Sequence, residues 1–223
     1  RMGWLNDPNG MVYAGGEWHM MFQHFAKGNA EGAKSWGSAV SKDLIHWEQL
    51  PHAINPYPSV MEHNQNGKHA IWSGSAVVDV NNVLGLQKGE VKTIYAQYTA
   101  TNFNQIKKKP EFFQGAMVST DNGRVWEKIN DGKPVIPHVQ GYAVSQRDPR
   151  LFYYAPENCY MMIMMIGGKK ADVRIWRSDD LKQWDEILDI PHKAAECIDM
   201  YVLPVDGDPK NLKWVIANAP THY

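Results

Sequence analysis

The chain has 223 residues, with 23 Lys plus Arg against 24 Asp plus Glu and a net charge of -1, so nothing marks nucleic acid or an anionic membrane as its partner. Hydrophobic residues make up 43% and charged residues 21%, the composition of a globular domain able to bury a real core. Cys159 and Cys197 are too few for a disulfide framework, and the longest apolar run, Met161 to Ile166, is too short to span a bilayer.

Read from the N-terminus, short strand-like runs alternate with turn signals. Gly10 to Tyr13, Glu17 to Phe22, Ser75 to Val80, Thr93 to Tyr98, Leu151 to Tyr154 and Leu212 to Ala217 read as strands. Between them lie Gly15-Gly16, Asn81-Asn82, Asp121-Asn122-Gly123, Pro156-Glu157-Asn158 and Asp206-Gly207-Asp208-Pro209. No segment carries a sustained helical stripe, so the fold class is all-β. The run Met161 to Ile166 reads as a strand buried on both faces.

An internal repeat organises these strands. Ser41-Lys42-Asp43 with Trp47 recurs as Ser119-Thr120-Asp121 with Trp126 and as Ser178-Asp179-Asp180 with Trp184. Each copy reads as a strand, a turn whose Asp accepts backbone N–H bonds, and a Trp that plugs the gap between sheets. The Trp residues stand 79 and 58 positions apart, the length of a four-stranded propeller blade with variable loops. A second repeat aligns Asp7-Pro8, Asp148-Pro149 and Glu196-Cys197, each a carboxylate at the head of a strand. If these are the innermost strands of three blades, the three acids converge at one mouth of the axis. An Asp-Pro before a strand is by itself only a turn signal; three acids at one repeat position point to sugar chemistry.

Those residues resemble glycoside hydrolase family 32, the invertases, levanases and inulinases. The resemblance rests on Trp4-Leu5-Asn6-Asp7-Pro8-Asn9-Gly10, Phe22-Gln23-His24, Trp36-Gly37-Ser38-Ala39, Trp72-Ser73-Gly74, Arg147-Asp148-Pro149 and Glu196-Cys197, in the family's order. The stretches Trp72 to Asp79 and Ser119 to Lys128 look most like the levanase and exo-inulinase branch. It implies a five-bladed β-propeller backed by a β-sandwich. It also implies a retaining β-fructofuranosidase acting on sucrose or fructans, outside the cytoplasm, with no cofactor or metal. Asp7 would be the nucleophile, Glu196 the general acid/base and Asp148 a stabiliser gripping fructose hydroxyls. Trp4, Asn6, Gln23, Trp36, Trp72, Ser73 and Arg147 would line the fructose subsite, Trp36 and Trp72 offering flat faces to the sugar. Arg147 would hold Asp148 charged.

The chain departs from the family pattern at Ser38, where His is common, and at Ile198, where Pro is common. Blades begin near Asp7, Ser73, Asp148 and Glu196, so residues 1–223 read as an incomplete propeller of three and a half to four blades. The fifth blade and the sandwich are missing from them, whether the chain is a fragment or the ring is open. Exposed apolar surface is expected near Trp214. Nine scattered histidines form no metal motif, and Lys107-Lys108-Lys109 reads as a solvated loop tip. Cys197 reads as a buried residue that positions Glu196, not as a thiol nucleophile. A propeller hydrolase of arabinose or xylose polymers and a non-catalytic sugar-binding remnant remain as alternatives.

Overall fold

A computed structural model describes residues 3–26, 28–29, 34–55, 70–104, 109–138, 145–167, 172–191 and 196–219. Fourteen strands occur among them and the only helical segments are two 3-10 turns. The first sheet holds β1 (Trp4–Ala14), β2 (Glu17–Phe25), β3 (Ser35–Ser41) and β4 (Glu48–Ile54), in that order. The second holds β5 (Ala70–Val78), β6 (Ile94–Asn104), β7 (Lys109–Ser119) and β8 (Glu127–Lys128). The third holds β9 (Ser145–Tyr154), β10 (Cys159–Gly167), β11 (Asp172–Ser178) and β12 (Asp185–Pro191). A hairpin of β13 (Glu196–Val205) and β14 (Asp208–Ala219) begins a fourth. Each sheet is an antiparallel meander, and its first strand packs beside the first strand of the next: β1 by β5, β5 by β9, β9 by β13. These are three and a half blades of a β-propeller, as the repeats led us to expect. Lys107 and Lys108 lie outside the described residues.

The repeated turn works as its residue types dictate. Leu44 and Leu181 N–H groups donate to Ser41 and Ser178 Oγ, both at 2.8 Å. Asp43, Asp121 and Asp180 each accept two further turn N–H groups on Oδ1. The backbone must enter the left-handed region to do this, at Leu44 (φ 64), Asn122 (φ 59) and Leu181 (φ 60). Each turn then delivers its Trp to the residue before the outermost strand. Trp126 packs on the core between blades 1 and 2, and Trp184 lies 6.5 Å from the Tyr95 ring of blade 2.

Hydrophobic burial occurs between blades, in three clusters. Met21 and Trp36 of blade 1 meet Ala96, Tyr98 and Met117 of blade 2. The β10 run shows why a strand without alternation is stable here. Met162, Met164 and Ile166 face blade 2, while Ile163 and Met165 face Ile198 and Ile216 of blade 4. A strand sandwiched between two sheets must be apolar on both faces. Ile198, at the position where Pro is common, is buried in that third cluster. Tyr201, Leu203, Leu212 and Trp214 on the hairpin are exposed, as are Leu5, Met11 and Tyr13 on β1.

Close approach fixes one glycine. A Cβ on Gly74 would lie 2.0 Å from the Gln97 carbonyl oxygen and 2.8 Å from the Tyr98 Cα. Both obstacles are backbone of the paired strand, so β5 itself would have to move. Gly74→Ala is expected to lower unfolding stability by about 1–3 kcal/mol, read from the urea midpoint. An unchanged midpoint would show that β5 yields freely.

Candidate active site

One irregularity recurs in every innermost strand and builds the site. In β1 the register slips between Asn6 and Pro8, in β5 between Ile71 and Gly74, in β9 between Arg147 and Arg150, and in β13 between Glu196 and Asp199. At each place two residues oppose one on the partner strand, the definition of a β-bulge. Asp7 (φ 30), Asp148 (φ 61) and Cys197 (φ 49) occupy the left-handed position of three of them. The alignment read from the sequence is corrected here. Asp7 and Asp148 are equivalent, but Glu196 stands one residue earlier, at the position of Asn6 and Arg147. Glu196 therefore leaves the strand on the side from which Arg147 projects, and the two side chains meet.

Asp7 is held from one side. Gln23 Nε2 donates to Asp7 Oδ2 at 3.0 Å and to Ser73 Oγ at 2.7 Å, and the Ser73 hydroxyl donates to the same Asp7 Oδ2 at 2.6 Å. Asn6 Nδ2 donates to Gln23 Oε1 at 3.0 Å, and Trp4 Nε1 donates to Asn6 Oδ1 at 3.0 Å. The chain Trp4–Asn6–Gln23 thus fixes the amide that fixes Asp7. Among the described residues no hydrogen bond engages Asp7 Oδ1.

Arg147 and Asp148 form the other side. The Arg147 guanidinium lies 5.1 Å from the Trp72 ring centroid and donates from Nη2 to Glu196 Oε2 at 3.1 Å. Its nearest approach to Asp148 is 3.7 Å, without a hydrogen bond. Arg147 therefore serves both acids: its charge favours ionised Asp148, as expected, and its hydrogen bond goes to Glu196. Asp148 accepts the Cys197 N–H on Oδ2 at 3.0 Å. Burial pushes its carboxyl above the usual carboxylate range, outweighing the Cys197 bond and Arg147, with Asp7 and Glu196 adding repulsion.

Two further expectations change. Trp36 has no exposed surface; its Nε1 donates to the Trp72 carbonyl at 2.9 Å and its ring sits edge-on to Tyr98. It supports the site from the core and offers no flat face. Cys197 is exposed, not buried, and its backbone positions Asp148 and not Glu196. Desolvation of its sulfur, then the charges of Asp148, Asp7 and Glu196, push its thiol up to about 12, so it stays protonated at neutral pH.

A cavity of about 250 Å³ is lined by Asp7, Ser73, Asp148, Arg150, Cys197 and Asp199, among others. A hollow of about 360 Å³ beside the 41–48 turn contains none of the expected site residues. Sequence reasoning missed the bridges around the first cavity. Asn9 Oδ1 accepts the Gly74 N–H at 3.1 Å, Ser75 Oγ donates to the Pro149 carbonyl at 2.8 Å, and Arg150 Nε donates to Asp199 Oδ1 at 2.8 Å. These join blade to blade just past the bulges. In the sequence Asn9, Pro149, Arg150 and Asp199 are marked only by standing close to the acids, and Ser75 by nothing. No group of three or more His, Cys, Asp or Glu among the described residues forms a metal site, and no described helix is long and apolar enough to cross a membrane.

Known proteins share this sequence and this architecture. A levanase of Bacillus subtilis (strain 168) is 39% identical over 219 residues, 96% of this chain and 29% of the levanase. The crystal structure of an exo-inulinase from Aspergillus awamori superimposes with a TM-score of 0.81 at 30% identity, covering 97% of this chain and 44% of that one. A β-fructofuranosidase from Schwanniomyces occidentalis, solved with fructosyl-erythritol, gives 0.78 at 27% identity, covering 99% and 42%. The chain thus spans less than half the length of these relatives. The model of the glycosyl hydrolases family 32 N-terminal domain matches residues 1–223 throughout, and the chain belongs to that family.

Proposed function

We propose that the protein is a retaining β-fructofuranosidase that releases terminal fructose from levan, inulin or sucrose, and that it works outside the cytoplasm. The reading rests on one observation above all: Asp7 and Asp148 at equivalent bulges, with Glu196 tied to the same centre through Arg147. Asp7 is the nucleophile. Its Oδ2 is occupied by Gln23 and Ser73, which leaves Oδ1 to attack the anomeric carbon and form a fructosyl-enzyme ester. Glu196, with its side chain half exposed, protonates the leaving oxygen and then activates the water that breaks the ester. Asp148, buried beside both, grips fructose hydroxyls as positive charge develops on the ring. Trp4, Asn6, Gln23, Trp72, Ser73 and Arg147 shape the fructose subsite, and no cofactor enters these steps.

A retaining pair needs its carboxyl groups only about 5–5.5 Å apart, whereas an inverting pair needs roughly 6.5–9.5 Å to admit water. Asp7 and Glu196 stand on the innermost strands of blades 1 and 4, both near enough to Asp148 for their charges to act on it, and the shorter gap is the one expected. The test is fructose release from levan, inulin and sucrose, with arabinan as control, followed by proton NMR before mutarotation. The first product is expected to be β-fructose. Initial α-fructose would remove the nucleophile role from Asp7, and release from arabinan alone would overturn the substrate class.

A further inference from the structure

We infer that Thr99 and Gln114, on the middle strands of blade 2, are positioning residues that clamp the Arg147–Asp148 segment of blade 3. The inference rests on the proposed roles of Arg147 and Asp148 for its kinetic consequence, and on geometry alone for the clamp. The Asp148 N–H donates to Thr99 Oγ1 at 3.0 Å, and Gln114 Nε2 donates to the Gln146 carbonyl at 2.8 Å. The peptide groups on either side of Arg147 are therefore both held from the neighbouring blade. The Thr99 hydroxyl proton goes to Gln114 Oε1 at 3.0 Å, which turns its lone pairs toward Asp148. Thr99 and Gln114 have no exposed surface, and Gln146 keeps 1%. Buried in the blade interface, these two polar side chains offset their desolvation by bonding each other and the backbone on either side of Arg147.

The clamp has a reason in the backbone. Asp148 sits at φ 61, a region that an L-residue holds only where its surroundings enforce it. Released from Thr99, the bulge can relax toward ordinary extended geometry. Asp148 would then leave the Cys197 N–H, and Arg147 would lose its place between Trp72 and Glu196. Thr101, on the same face of β6, makes a useful contrast. Its Oγ1 accepts the Ala70 N–H at 3.0 Å, inside its own blade.

The experiment compares Thr99→Val, which keeps the shape, with Thr99→Ser, which keeps the hydroxyl, and Thr101→Val, in the full protein. Hydrogen exchange at the Asp148 amide, followed by NMR, is expected to quicken about tenfold or more in Thr99→Val and to return toward wild type in Thr99→Ser. In the same variant kcat for fructose release is expected to fall about 10–100-fold with KM changed less, since small misplacements of reacting groups act on the chemical step. Thr101→Val is expected to melt earlier with kcat unchanged. Thr99→Ala gives the same reading if valine is not tolerated. Unchanged exchange at Asp148 in the Thr99 variant would overturn the clamp, as would an equal kcat loss in Thr101→Val. If wild type releases no fructose, the proposed function fails, while the exchange measurement still decides the clamp.

Discussion

Asp7→Asn is expected to abolish fructose release from every substrate, whatever its leaving group, while Glu196→Gln is expected to spare substrates that need no proton. The split follows from the proposed roles. Without the Asp7 carboxylate no fructosyl ester can form, and the amide that replaces it is not a nucleophile. Its amide oxygen can still accept from Gln23 Nε2 and the Ser73 hydroxyl, which now converge on Oδ2, so the change removes the nucleophile without removing its hold. Loss of general-acid help costs about 10²–10⁴ in rate on a natural fructoside, yet little on a fructosyl donor with an acidic leaving group. In Glu196→Gln the amide oxygen can still accept from Arg147 Nη2, so the change removes proton transfer while keeping that hydrogen bond. The measurement is kcat/KM for both variants on sucrose and on an aryl or fluoride fructoside. Equal losses on the two substrates for both variants would mean that the roles are misassigned.

How far these residues can be read from the sequence depends on the distance over which each is determined. The S-x-D turns with Trp47, Trp126 and Trp184 are local, so their spacing alone marks the blades. The unbroken apolar run of β10 announced its burial on both faces for the same reason. The position of Glu196 was less legible. The internal repeat sets it level with Asp7 and Asp148, but a bulge is counted against its partner strand, and β13 pairs with a strand whose register no motif reveals. Trp36 illustrates a second limit. A tryptophan in a sugar-site motif and one buried beneath it are indistinguishable until the neighbouring Tyr98 and Trp72 are placed. Thr99 and Gln114 left no signal at all, because a polar residue in a middle strand acquires meaning only from the blade it faces.

Asp148→Asn is expected to stabilise the fold at neutral pH and to cripple the enzyme. The native carboxyl of Asp148 is raised above its ordinary value, with burial the leading cause, so the native state holds its proton more tightly than the unfolded chain does. The sign follows directly. The contribution is fully present below the unfolded value, about 3.9, and is lost as pH rises through the native value, where a buried charge must be carried. Asparagine never carries that charge. It can still accept the Cys197 N–H through its amide oxygen. The melting temperatures of the two proteins should therefore lie close together at the acid end of a titration and separate as pH rises, with the variant higher. A variant that instead falls below wild type as pH rises would show that Arg147 and the Cys197 amide outweigh burial. Activity moves the other way. An electrostatic partner removed from a water-poor site costs about 10²–10³ in kcat, and a neutral amide cannot answer positive charge on the fructosyl ring. The burial that makes ionised Asp148 expensive also excludes the water that would screen it from the sugar. Stability is given up at this position for the same physical reason that the position is useful, and a single substitution read by two instruments separates the two effects.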